Sequence, residues 1–373
     1  MYDNRKNDMV DVMFELLRAG VFGCDPNISD DMEVDWDALM VTASDQGLLG
    51  WVWDGICKLP ADQKPSRLQL INWGLSAQEI RSRYEKQCMA INDLVQMCDQ
   101  SGMRMLLLKG KGLANLFPNP SARPSGDVDV YFFDDFEKAN RLLGGEGCIE
   151  HHLHTSCDYK GAHIEIHNIF VYPNSRVKKR VGEYLLEEVK NAELTAEGFY
   201  IFQPLPNLVY LLMHGLNHIS YELDSTIFPI KIIVDLAMFI KTYQSQLPSH
   251  KAYALMDVFG LEKSFELMVY MSEWLLNVDL SIYHKGLIDK RDLCKIKDML
   301  MNRGLVSPIP KGLPIFKQSK SYWIRYRELK SIAKYVPKKP RCGLFRVTWK
   351  LQCSLIIRRL LHIPEGKPIR NSI

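Results

Sequence analysis

The sequence predicts an α+β protein, in which a small mixed β-sheet core is flanked by helical N- and C-terminal regions. Two observations predict this class. Apolar residues recur at helical spacing before residue 100 and after residue 204. Between these regions, short apolar or alternating segments are separated by turns rich in Gly and Asp, as in strands. The 373 residues also exceed the size of a single small core, so we expect several structural units.

The N-terminal region, residues 1–100, is predicted to be helical. Its apolar stripes run through Met9–Leu17 and Trp36–Leu49. A long amphipathic helix is expected over about residues 76–99. Ser101-Gly102 is expected to end it, because Gly is the preferred residue directly after a helix.

Residues 101–203 form the predicted sheet-containing core. Its expected elements, in chain order, are a strand over Met103–Leu108, a Gly-rich turn and short helix over Lys109–Phe117, a loop over Pro118–Gly126, a strand over Val128–Phe133, a helix ending at Leu143, and strands over His151–Tyr159 and Ala162–Ile169. This mixture of strands and helices indicates a compact unit with a mixed sheet.

Residues 204–305 return to helical spacing. The predicted helices are Leu205–His218, Ile227–Tyr243, Ala252–Phe259, Glu262–Leu276 and Lys290–Met301. Residues 306–373 are predicted to be a linker rich in Pro and Gly, followed by two basic, aromatic helices over Ser321–Tyr335 and Leu344–Leu361.

Composition describes an ordinary globular protein, with 47% hydrophobic and 24% charged residues. The nine cysteines form no C-x-x-C pair, and the polar N-terminus does not resemble a signal peptide, so we expect reduced thiols and a cytoplasmic location. Residues 317–373 hold fifteen Lys and Arg residues against two Glu residues. Such a tail binds nucleic acid or an anionic surface, or docks on the acidic body of its own chain.

The most informative motif is Asp127-Val128-Asp129 in an apolar segment. Side chains at i and i+2 share one face of a strand, so the two carboxylates repel each other unless a cation lies between them. Hard oxygen ligands of this kind favour Mg²⁺, with Mn²⁺ as an alternative. Lys109-Gly110 and Arg123 precede the pair and offer backbone amides and positive charge to a polyphosphate.

A third carboxylate is expected from a neighbouring strand, and His163-Ile164-Glu165-Ile166-His167 supplies Glu165. His167 is predicted to orient a carboxylate. The surrounding histidines also raise a zinc site, but their spacing matches no established zinc motif, so we favour histidines that line a cleft.

These residues resemble the polymerase-β-like nucleotidyltransferase superfamily. The resemblance is to its bacterial branch of uncharacterised nucleotidyltransferases, in which Lys-Gly, an Arg, Asp-x-Asp and Glu-x-His follow one another. It covers about residues 30–260 and extends to His214 and Asp235. The branch usually has Arg at the position of Lys231, and we place His214 and Lys231 in the cleft.

The resemblance implies Mg²⁺-dependent transfer of a nucleoside monophosphate from an NTP to an unidentified hydroxyl or phosphate acceptor. Asp127, Asp129 and Glu165 would be the catalytic metal ligands, and Lys109, Gly110 and Arg123 would hold the nucleotide. The alternative is a catalytically silent nucleotide-binding or regulatory module, or a toxin–antitoxin component. Nucleic-acid binding through the basic tail is compatible with either.

Overall fold

The computed structural model describes residues 4–29, 32–144, 153–221, 230–299 and 334–335. It confirms the predicted α+β class: helical regions flank a six-stranded mixed sheet. Among the described residues, no helix has the length and apolar character needed to cross a membrane. The linker and the two basic helices predicted after residue 305 lie outside the described residues, apart from Lys334 and Tyr335.

The described residues of the N-terminal region form four helices, α1 Asn4–Phe22, α2 Trp36–Asp45, α3 Leu49–Lys58 and α4 Arg67–Ser101. Asp35 begins α2 by accepting a hydrogen bond from the Ala38 amide at 3.0 Å. Helix α4 starts earlier than predicted, because Ser66 and Gln69 form a capping box. It ends at Ser101, as predicted.

Within the described ranges the sheet holds six strands, in the order β3-β4-β2-β1-β6-β5. Their bounds are β1 Leu106–Leu107, β2 Asp127–Tyr131, β3 His154–Tyr159, β4 Ala162–His167, β5 Glu193–Leu194 and β6 Tyr200–Ile201. Strand β2 runs parallel to β4 and antiparallel to β1. Two short helices, α5 Lys111–Ala114 and α6 Phe136–Leu143, lie in the connections.

The two faces of the sheet have different surroundings. Val128 and Val130 of β2 join Ile164 and Ile166 of β4 in a core that also contains Leu94 of α4. Because strand side chains alternate, the acidic residues of β2 and β4 point to the opposite face. The hydrophobic core behind one face therefore fixes which way the carboxylates point.

The C-terminal helical region covers that opposite face. Its helices are α7 Arg176–Glu188, α8 Pro204–Tyr221, α9 Ile230–Tyr243, α10 Ser249–Phe259, α11 Glu262–Leu276 and α12 Lys290–Met299. Helix α7 and strands β5 and β6 were not predicted, and β1 is shorter than the predicted strand over Met103–Leu108. Tyr335 is buried, and its hydroxyl donates to Asp292 of α12 at 2.9 Å, so the chain returns to the body at this point.

Candidate active site

A cavity of about 920 Å³ opens between the acidic face of the sheet and helices α8 and α9. The turn after α2 forms part of its wall. The cavity is lined by every site residue that the sequence predicted, namely Lys109, Gly110, Arg123, Asp127, Asp129, Glu165, His167, His214 and Lys231. Its size lies in the range of small-molecule sites in proteins.

Three carboxylates meet on one wall of this cavity. Asp129 of β2 lies directly opposite Glu165 of β4 in the parallel register, and Asp127 lies two residues earlier on the same face. One oxygen from each of the three side chains lies within 4.8 Å of the others. Strand pairing therefore brings together the acids that the sequence separates by more than thirty positions.

The carboxylates fit a hard divalent cation. Asp129 is 1% exposed, and its Oδ1 accepts from the Lys109 ammonium at 2.9 Å and lies 3.0 Å from His167 Nε2. Its Oδ2 is buried and has no hydrogen-bond partner in the described part of the chain. A buried carboxylate oxygen without a partner is costly unless a ligand satisfies it. The oxygen donor set suits Mg²⁺ or Mn²⁺.

The two acids of β2 have different electrostatic surroundings. Burial raises the pKa of the Asp127 carboxyl, and the negative charge of Asp129 raises it further. Burial also acts to raise the pKa of Asp129, but the charge of Lys109 and a hydrogen bond with His167 outweigh it, so this pKa lies well below its usual range. Asp127 therefore bears most of the repulsion between the carboxylates.

The Lys-Gly turn carries the cation that faces these acids. Gly110 precedes α5 directly and has φ +66° and ψ −118°. Residues with a Cβ rarely adopt this backbone conformation. This turn aims Lys109 back at Asp129. The positive charge of Lys109 therefore lies beside the carboxylates.

Arg123, which we expect from the sequence to hold the nucleotide, contacts two other segments of the chain. Its Nε and Nη2 donate to the two oxygens of Asp235 at 2.7 and 2.8 Å, and Nη1 donates to the Gly110 carbonyl at 3.4 Å. Arg123 is 3% exposed. The guanidinium thus joins helix α9 to the Lys-Gly turn, and sequence reasoning had given Asp235 no role in the site.

Lys231 reaches the same carboxylate from one helical turn away, with Nζ 3.1 Å from Asp235 Oδ2. Burial and the charge of Arg123 lower the pKa of Lys231 to about 8, although Asp235 opposes this shift. The Lys231 stem packs on Gly47, which has φ +64°, and a Cβ built on Gly47 would lie 3.2 Å from Lys231 Cδ. The role of Gly47 was missed, because nothing local in the sequence connects it to α9.

The histidines occupy two positions around the cavity. His154 and His167 lie beside Glu165, each with its Nε2 3.6 Å from a Glu165 oxygen. His214 of α8 lies 3.2 Å from His218, measured between their Nε2 atoms. Burial and the charges of Lys109 and His218 hold the pKa of His214 well below its usual value. His214 is therefore a neutral polar group on the helical wall of the cavity.

Comparison with known families agrees with this geometry. The family model described as uncharacterised nucleotidyltransferase matches residues 32–277. The chain belongs to this family. No curated protein and no solved structure matches the chain significantly.

The matched span of the uncharacterised nucleotidyltransferase family runs from the start of α2 to the end of α11. It contains helices α8 and α9, the sheet and all the site residues discussed above. Membership supports nucleotidyltransferase activity in general and implies a nucleotide substrate. The basic tail lies outside the matched span.

Proposed function

We propose that the chain transfers a nucleoside monophosphate from an NTP to a hydroxyl or phosphate acceptor and releases pyrophosphate. The observation that carries this proposal is the meeting of Asp127, Asp129 and Glu165 at one wall of the cavity. Separate strands would not hold three carboxylates so close together in a merely structural role, because their repulsion costs stability.

In this proposal Asp127, Asp129 and Glu165 hold Mg²⁺, with Mn²⁺ as an alternative. When bound, the ion lowers the charge of the triphosphate and stabilises the developing negative charge. His167 keeps the Asp129 carboxylate in place through their 3.0 Å contact. Glu165, which faces the open cavity, accepts the proton of the attacking hydroxyl.

The triphosphate is held by the cations around the carboxylates. Lys109 contributes its ammonium, and Gly110 allows backbone amides at the start of α5 to approach the phosphates closely. Lys231 supplies a further cation from α9, where its ammonium lies 3.1 Å from Asp235 Oδ2. Arg123 acts chiefly by holding the Lys-Gly turn against α9, because its Nη1 donates to the Gly110 carbonyl of that turn.

Calorimetry and turnover test the proposal together. The wild-type chain is titrated with ATP and Mg²⁺, then incubated with NTPs labelled at the α-phosphate and a metabolite extract. We expect nucleotide binding, transfer of label to a discrete product, and loss of transfer in Asp127→Ala and Asp129→Ala with the fold intact. Glu187→Gln, on an exposed stretch of α7, is the control that retains transfer.

Two outcomes would contradict the proposal. Transfer that survives in both Asp variants would show that the proposed metal site takes no part in the reaction. Nucleotide binding with no labelled product under any condition would instead favour a binding or regulatory module. Deletion of residues 317–373, with binding to DNA and RNA measured against salt, tests the separate prediction for the basic tail.

A further inference from the structure

Two histidines and a carboxylate form a second set of metal-ligand side chains, which shares Glu165 with the proposed magnesium site. His154 of β3 and Glu165 and His167 of β4 each offer one ligand atom, and these atoms lie within 4.8 Å of one another. We propose that these three residues bind Zn²⁺. The inference goes beyond nucleotidyl transfer, because it concerns a different ion and requires no nucleotide.

The strands hold the three side chains in this arrangement. His154 and His167 are directly paired in the antiparallel register of β3 and β4. Glu165 lies two residues before His167 and therefore shares its face of the sheet. Side chains directly opposite each other on neighbouring strands have Cβ atoms only about 5 Å apart. The ligands are thus preorganised by backbone hydrogen bonds rather than by a loop.

The ring nitrogens point at the shared carboxylate. His154 Nε2 lies 3.6 Å from Glu165 Oε1, and His167 Nε2 lies 3.6 Å from Glu165 Oε2. On the far side of the His167 ring, Nδ1 lies 3.4 Å from the carbonyl oxygen of Ile169. Because a carbonyl only accepts, it favours a proton on Nδ1. Nε2, which lies 3.0 Å from Asp129 Oδ1, would therefore bind the ion only after losing its proton. A backbone acceptor behind a histidine is the usual arrangement around protein-bound metals.

The donor set favours a softer ion than Mg²⁺. Two imidazoles and a carboxylate favour Zn²⁺ over Mg²⁺, which prefers oxygen ligands. Three protein ligands also leave a coordination position open, as in catalytic rather than structural zinc sites. That position would face the cavity, because all three residues line it. On binding, the ion would replace the proton between His167 Nε2 and Asp129 Oδ1, and this proton would pass to solvent.

Titration with Co²⁺, a spectroscopic substitute for Zn²⁺, tests the site in the purified full-length chain. We expect visible d–d bands at one equivalent, and Zn²⁺ should displace them. His154→Gln should weaken Co²⁺ binding by more than about tenfold, since loss of even an outer partner of a metal ligand costs that much. His163→Gln is the matched control: His163 lies on β4 with Glu165 and His167, is exposed and pairs with Asp158 instead, so binding should not change.

The result that overturns the site is Co²⁺ binding of equal strength in wild type and His154→Gln. Intense near-ultraviolet bands would do the same, because they indicate thiolate ligands and hence cysteines. Circular dichroism of His154→Gln shows whether the variant is folded, and His167→Gln provides a second test should it not be. Since no nucleotide is present, the titration gives the same answer whether or not the chain transfers nucleotides.

Discussion

Substitution of Asp235 tests the ion pair that joins helix α9 to the Lys-Gly turn. Arg123 is 3% exposed, and in Asp235→Ala its remaining acceptor within the described part of the chain would be the Gly110 carbonyl at 3.4 Å. Lys231, now 3.1 Å from Asp235, would lose the same counter-charge. Removing one partner of a buried pair costs about 3–5 kcal/mol of unfolding free energy, because the other charge stays buried without compensation.

Asp235→Asn should cost less, about 2 kcal/mol. The amide keeps one oxygen for Arg123 but loses the charge that strengthens the hydrogen bonds. The double variant Arg123→Met/Asp235→Leu should recover much of the loss, because an apolar pair of similar volume is often as stable as a buried ion pair. Glu187→Gln removes an exposed ion pair, whose side chains are 74% and 72% exposed, and should change stability by less than about 0.5 kcal/mol.

Urea unfolding followed by tryptophan fluorescence measures these differences. The same variants are then compared in KM for the NTP, which should rise when the turn is released from α9. An Asp235→Ala loss below about 1 kcal/mol would refute the claim that this carboxylate compensates Arg123. The single variants Arg123→Met and Asp235→Leu complete the comparison. A double variant whose loss equals the sum of these two single losses would also refute the claim, because that would show no coupling between the residues.

Three further predictions concern the other residues of the cavity. Asp127→Asn should abolish transfer yet raise the melting temperature. Burial and the charge of Asp129 raise the pKa of Asp127, so the ionised carboxylate is unfavourable in the folded state. A lower melting temperature would contradict this. The pKa of Lys231 is lowered to about 8, so Lys231 is cationic below about pH 8 and neutral above it. The kcat/KM for the NTP should therefore fall as the pH rises through about 8, and Lys231→Arg should abolish that fall; an unchanged profile would exclude Lys231 from phosphate binding. Gly47→Ala should lower the free energy of unfolding by about 1 kcal/mol because of the φ of +64° at this position. It should also raise the KM for the NTP, because the added methyl group would press on the Lys231 stem. Thermal unfolding and steady-state kinetics measure the two effects, and an unchanged KM would show that Gly47 does not influence the site.

The carboxylate cluster was predictable because its determinants are local. Alternation along β2 sets Asp127 and Asp129 on one face, opposite Val128 and Val130. The same alternation places Glu165 on the equivalent face of its own strand. Only the pairing of β2 with β4 had to be assumed, and parallel pairing places Glu165 directly opposite Asp129.

The contacts that join distant segments could not be predicted from the sequence. Arg123 and Asp235 are separated by 112 positions, and nothing in their local patterns identifies one as the partner of the other. The sequence therefore predicts a nucleotide contact for Arg123 and gives no sign of its pairing with Asp235. Strands β5 and β6 were missed because two residues are too few to show a period-two alternation.

A crystal of the chain soaked with Mn²⁺ and a non-hydrolysable NTP analogue gives the most direct measurement, through the anomalous scattering of manganese. We predict an anomalous peak within coordination distance of Asp127, Asp129 and Glu165 at once, with the triphosphate lying towards Lys109. A peak that touches neither acid of β2, or a Glu165 side chain turned away from the ion, would contradict the proposed metal site.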